Sequence, residues 1–185
     1  LLVFPAVFLF ASTYTAHQEH DTHQWRRLLS MAVSRNALYS AKVVFTAGLG
    51  LLACLVMWAE DILFGWLYTC IEPASGLIFQ QMPLMRMLLV FLSIFISGLF
   101  MTGLQFFLSM RAKNFVLSIG VGIACILVGV FLADVDGLRL IFPWSLPASI
   151  YKADTVAELV WPMLYSLAGF ALTVYWNGRT FVRQD

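Results

Sequence analysis

A chain of 185 residues that is 61% hydrophobic and 11% charged, with a mean hydropathy of +0.86, is composed as a polytopic membrane protein. An average soluble domain carries about 25% charged residues, so a soluble globular fold is excluded. A net charge of +1 leaves no basic footprint for nucleic acid, and that class of partner is excluded as well.

The first apolar run, Leu1–Ala16, falls short of the roughly 20 residues that a spanning helix needs. The chain also opens without methionine, so the expectation is that part of this helix and whatever preceded it are missing. A signal peptide ending near Ala16 is the rival reading. It lacks a basic leading segment, and it would export the Arg26–Arg27 pair.

His17–Lys42 follows, the longest run that could not sit in hydrocarbon, and it holds all three histidines. Trp25, Leu28, Leu29 and Ala32 fall at i, i+3, i+4 and i+7, which places them on one face of a helix. Arg26, Arg27 and Ser30 take the other face. Ser34 is positioned to cap a second helix, its hydroxyl accepting from an otherwise unpaired amide of the next turn. That helix carries Arg35, Tyr39 and Lys42 into the apolar run at Val43. Residues 17–42 therefore predict a short amphipathic helix outside the bilayer, a turn, and the foot of a membrane helix.

Four further apolar segments are Val43–Trp66, Leu84–Met110, Phe115–Ala133 and about Val160–Trp176. Each is close to the span length a bilayer demands, and none alternates as a strand would. In hydrocarbon their backbone polar groups must pair within a helix. The expected fold is an all-α polytopic membrane protein, a single transmembrane domain over residues 1–185 with five transmembrane helices visible.

Lysine and arginine asymmetry sets the orientation. With His17–Lys42 in the cytoplasm, Arg26, Arg27, Arg35, Lys42, Arg111, Lys113, Arg179 and Arg183 lie inside, eight of the eleven basic residues. Seven of the ten acids, including Glu60, Asp61 and Glu158, then fall outside. The C-terminus is cytoplasmic in this arrangement.

The two outer loops differ. Leu67–Pro83 is mixed and contains Cys70, with Gly65, Pro73, Gly76 and Pro83 expected to break any long helix. Residues 134–158 contain Phe142-Pro143-Trp144-Ser145-Leu146-Pro147, too apolar for a solvated loop and too broken for a span. A re-entrant or interfacial element fits, with Trp144 at headgroup level. Trp66, Trp161 and Trp176 are placed at interfaces in the same way. Small residues should mark helix contacts, since lipid gives helices no hydrophobic reason to associate. Candidate seams are Ser93-x3-Ser97, Gly98-x3-Thr102, Ser118-x3-Gly122 and Gly120-x3-Ala124.

Chemistry-bearing residues are sparse. His17, Glu19, His20 and His23 have helical spacing for a metal, but a zinc site needs further ligands and no other histidine exists. They are read as a polar helix end, with no metal. No phosphate-binding glycine loop is present, so this chain by itself cradles no ATP. Cys54 and Cys125 lie in apolar runs and are read with Cys70 as unpaired fillers. Gln105 is the one amide or charged side chain well inside a span. It is a candidate pathway residue or a bond to a neighbouring helix. Arg86 lies near the outer end of its span, where it can snorkel.

Glu19, Trp25-Arg26-Arg27-Leu28-Leu29, Ser34-Arg35, Tyr39 and Lys42 together resemble the loop between the second and third helices of ABC-2 type transporter permeases. Gln105 to Gly122, QFFLSMRAKNFVLSIGVG, is similar to the fourth-to-fifth helix turn of the branch that includes lantibiotic-immunity permeases. Phe142–Pro147 resembles that branch's outer segment before the last helix. The resemblance implies six membrane helices, of which this chain would hold the second to sixth. It implies a coupling helix within residues 17–42 that docks into a separate ABC ATPase subunit. Glu19, Trp25, Arg26, Leu28, Leu29, Arg35 and Lys42 are its ATPase-coupling candidates. Pro143, Trp144 and Pro147 mark the outer element.

Two functions follow from different classes. The first is a non-enzymatic permease subunit in the cell membrane, of bacterial type, exporting an amphiphilic peptide, lantibiotic or drug-like substrate. ATP and magnesium would be bound by the partner subunit, and a second permease subunit would complete a homo- or heterodimer in the lipid bilayer. The alternative is a membrane binding, sensor or immunity scaffold that does not transport. An amphipathic docking helix joined to an anchored span favours the permease.

Overall fold

The computed structural model describes residues 3–17, 35–71, 83–112, 114–135, 137–151, 153 and 156–182. Among them every regular element is helical: α1 (Val3–His17), α2 (Arg35–Ile71), α3 (Leu84–Arg111), α4 (Phe115–Leu132), a 3-10 turn (Leu138–Leu140), α5 (Leu146–Tyr151) and α6 (Val156–Val182). The four helices α2, α3, α4 and α6 are long and apolar enough to cross a membrane. The all-α polytopic fold expected from composition is the fold observed, though among the described residues four helices rather than five meet the length of a span, since α1 has 15 residues.

The helices are arranged around α3. Half of its most apolar window is buried, against 17–22% for α2, α4 and α6. It packs against α1, α2, α4, α5 and α6. Close approach to α3 comes from small residues. Phe8 of α1 is wedged between Gly50 of α2 and Gly98 of α3, so that a Cβ at Gly98 would stand 2.8 Å from the ring. On the opposite side the ring of Phe100 covers Gly169 of α6, and Ser166 Oγ accepts a hydrogen bond from the Phe100 amide at 2.9 Å. Neighbouring helices in lipid are held by such packing and by hydrogen bonds between them.

Local sequence sets several of the ends. Asn114 caps α4, its Oδ1 accepting from the Val116 amide at 2.9 Å with the extended backbone usual for a cap. At the other end Gly137 has φ 85°, a left-handed turn conformation that suits glycine, and leads into the 3-10 turn. Within α6, Pro162 is fully buried and withholds the amide that would bond the carbonyl one turn back.

Two helices exceed the expected spans. α2 continues past Trp66 to Ile71, so Gly65 does not break it and Cys70 lies on its last turn rather than in a loop. A lone helical glycine costs only about 1 kcal/mol, and Leu67 to Ile71 contain no breaker. α6 likewise runs from Val156, through Pro162, to Val182. Between α4 and α6 the chain is broken into the 3-10 turn and α5, which returns to pack on α3.

Candidate functional site

Three features carry the residues singled out in the sequence. They lie at two ends of the bundle: one where α1 ends, α2 begins and α3 turns into α4, and one where α5 sits.

The deepest is centred on Gln105. Its side chain is fully buried. Nε2 donates to the Ser118 carbonyl at 3.0 Å, and lies 3.2 Å from Thr13 Oγ1 and 3.3 Å from Ser118 Oγ. Ser109, one turn along α3, meets Ser118 Oγ at 2.6 Å and Thr13 Oγ1 at 3.3 Å. Four neutral side chains therefore join α1, α3 and α4. Space for the amide comes from Gly122, where a Cβ would lie 2.9 Å from Gln105 Oε1. Among the described residues that oxygen is buried without a hydrogen-bond partner. Such a group is costly in a dry interior. The cluster contains no titratable group, and its chemistry is hydrogen bonding rather than proton transfer or charge movement. In this conformation Gln105 is sealed from solvent and lipid. Thr13 and Ser109 were not singled out from the sequence. Ser109 is signalled by its place four positions from Gln105 within an apolar span, while Thr13, on α1, has no local signal.

The second feature is the foot of α2. Arg35 is its first residue, and Ser34, the expected cap, lies outside the described residues. Tyr39 is buried against Phe106, with ring centroids 6.1 Å apart, and its hydroxyl donates to the Val174 carbonyl of α6 at 3.0 Å. Gly178 lets α6 approach that ring. Lys42 is only 8% exposed, set into this end of the bundle. His17 is buried edge-on to Phe115, at 5.5 Å. Glu19, Trp25, Arg26, Leu28 and Leu29 lie outside the described residues.

The third feature is the broken element after α4. Ser145 Oγ donates to the carbonyls of Arg139 and Phe142, each at 2.8 Å, and ties the turn to α5. Leu146 and Ile150 are buried, as is Pro147, while Pro143 is partly exposed. Trp144 is packed within the bundle, 7% exposed. Its backbone lies where a Cβ on Gly129 would come within 2.9 Å, and its ring sits 5.4 Å from Phe142. Gly129 opens the room for that backbone. Trp66, Trp161 and Trp176 are all exposed.

Against known proteins, a family model described as ABC-2 family transporter protein matches residues 1–129. The match takes in the Gln105 cluster and the foot of α2, and stops short of the broken element and α6. No curated protein and no solved structure matches the chain.

Proposed function

This chain belongs to the ABC-2 family of transporter proteins, and we propose that it is the permease subunit of an ABC exporter. A separate ATPase subunit would bind ATP and magnesium, and a second permease subunit would complete the transporter. The substrate is an amphiphile: a lantibiotic, another amphiphilic peptide or a drug-like molecule. The end carrying Arg35, Lys42, Arg111 and Arg179 faces the cytoplasm of the cell membrane, as basic asymmetry favours, and the C-terminus lies there too.

The observation that carries this reading is the continuity of α2. At about 1.5 Å per residue, its 37 residues extend roughly 55 Å from the basic segment to the far end of the bundle. Tyr39 fastens the foot of this rod to α6. A push on residues 17–42 is thereby delivered to both α2 and α6 around the central α3. Gln105 lies where α1, α3 and α4 meet, and we assign its cluster to the closed state of the pathway. The unsatisfied Oε1 lowers the cost of parting those helices.

The test is affinity purification of the chain from its own membranes, with mass identification of what accompanies it. An ATP-binding cassette subunit in stoichiometric amount is the expected result. Its absence, together with no substrate-dependent ATP hydrolysis after reconstitution with a neighbouring cassette protein, would overturn the proposal.

A further inference from the structure

A cavity of about 360 Å³ lies at the end of the bundle opposite the basic foot. Its polar wall is Asp61 of α2, Arg86 of α3 and Tyr151 of α5, and its apolar wall is Met87, Val90 and Phe91 of α3. Three helices thus bring one anion, one cation and one phenol, all exposed, to a single open pocket on the bundle surface. Among the described residues Asp61 and Arg86 form no ion pair with each other.

The start of α3 adds to the cationic side. Pro83 is its cap residue, lines the cavity and makes no side-chain capping bond. The first intrahelical bond runs from the Met87 amide to the Pro83 carbonyl, at 2.9 Å. The amides before it are the unpaired donors of a helix start, which with the helix dipole favour an anion. Arg86 lies within that first turn. The opposite side is anionic. Tyr151 is raised above the usual tyrosine range, by burial first and then by the carboxylate of Asp61. Tyr151 is about half exposed, and its hydroxyl can donate or accept a hydrogen bond beside Asp61.

A simple anion would meet Arg86 and be repelled by Asp61, and a simple cation the reverse. We propose that this cavity binds the head of a zwitterionic phospholipid with a primary ammonium, of the phosphatidylethanolamine type. The phosphate sits with Arg86 and the first turn of α3, and the ammonium with Asp61 and the Tyr151 hydroxyl. The glycerol and first acyl carbons lie on Met87, Val90 and Phe91. The volume is near the lower end of ligand pockets, about 300–1,000 Å³, which suits a head and its first carbons rather than a whole lipid. This inference does not rest on the transport reading, because binding needs neither ATPase nor substrate.

The experiment places the purified full chain in nanodiscs of equal phosphatidylethanolamine and phosphatidylglycerol, then counts retained lipids by native mass spectrometry. Phosphatidylethanolamine should be enriched about tenfold, as one charge-assisted hydrogen bond is worth. Asp61→Asn should bring the ratio of the two lipids towards one. Arg86→Gln should lower retention of both. Both variants should unfold at the wild-type temperature. Free phosphoethanolamine, the same head without a tail, should not displace the lipid. Equal retention by the wild type, or an Asp61→Asn ratio that stays at the wild-type value, would overturn the proposal. Displacement by free phosphoethanolamine would overturn the lipid as the occupant in favour of a soluble head group.

Discussion

The ring of Phe8 stands so close to Gly98 that a Cβ there would lie 2.8 Å from its Cε2 carbon. The ring cannot retreat, because Gly50 holds its other edge at a similar distance. Phe8 is 2% exposed and sits in the largest core cluster with Phe4, Leu9, Cys54 and Ile94. A small α1 is thereby locked to α2 and α3 at once.

Gly98→Val should therefore destabilise the purified protein by about 1–3 kcal/mol, the usual cost of overpacking. Gly120→Val is the matched control, since nothing lies within 4 Å of a Cβ at that position. Thermal unfolding in detergent compares the two. Equal melting temperatures for both variants would show that Phe8 can yield after all.

The Gln105 cluster separates packing from function. Gln105→Leu removes the amide donor but also the unpartnered Oε1, and leaves Ser109 bonded to Thr13 and Ser118. Removing one partner of a buried bond is costly only where it orphans the other; Thr13 and Ser118 Oγ keep Ser109 as a partner, so stability should change by about 1 kcal/mol at most. Transport in reconstituted vesicles should fall several-fold if the cluster must part and reform in each cycle. Wild-type transport with wild-type stability would leave Gln105 a packing residue alone.

Trp144 distinguishes a buried ring from an interfacial one. Truncation to alanine should cost about 3–5 kcal/mol, as for other core aromatics. Trp144→Phe should cost less, because the indole Nε1 is buried without a hydrogen-bond partner among the described residues. Trp176→Ala, at an exposed position, should stay within about 0.5 kcal/mol. Chemical unfolding of the three variants checks the order, and a Trp144→Ala protein as stable as Trp176→Ala would return the ring to the interface.

Cysteine accessibility tests the orientation. Cys70 is exposed on the last turn of α2, Cys54 is buried, and Cys125 is partly buried on α4. In intact cells an impermeant thiol reagent should label Cys70 and spare the other two. A cysteine introduced at Ser30 should stay unlabelled until the membrane is opened. Labelling at position 30 from outside would invert the topology.

Much of the fold was legible because membrane helices announce themselves residue by residue. α3 and α4 begin and end within one residue of the apolar runs that predicted them. What was not legible depended on other helices. Ser118-x3-Gly122 and Gly120-x3-Ala124 are equivalent in the sequence of α4. Only the first is buried, because Leu9 and Gln105 stand opposite it. That Trp144 and Lys42 are buried within the bundle had no local signal either, because it depends on what packs against them. Gly129 makes room for the backbone at Trp144. The Phe100–Ser166 bond across α3 and α6 had no local signal, since Ser166 is one small residue among many.

The last prediction concerns coupling. Trp25, Leu28 and Leu29 lie outside the described residues, and their spacing places them along one helical face. An apolar stripe in a cytoplasmic loop has to be buried, either in a partner or in the membrane surface. Arginines flanking such a face also suit anionic headgroups, so the two burials must be told apart. An indole and two leucines sunk in a partner groove would contribute about 1.5–3 kcal/mol each, and aromatic anchors dominate protein interfaces. Trp25→Ala, and a Leu28→Asp, Leu29→Asp double change, should therefore release the ATPase and uncouple substrate-stimulated ATP hydrolysis. Changes at Arg26, Glu19 and Arg35, read as rim positions, should alter association rate and salt sensitivity more than affinity. Membrane burial predicts a different pattern, in which the ATPase stays bound and only the loop's lipid contact is lost. The measurement is ATPase co-purification and hydrolysis at matched membrane expression. Wild-type binding and coupling in both apolar variants would remove residues 17–42 as the docking element.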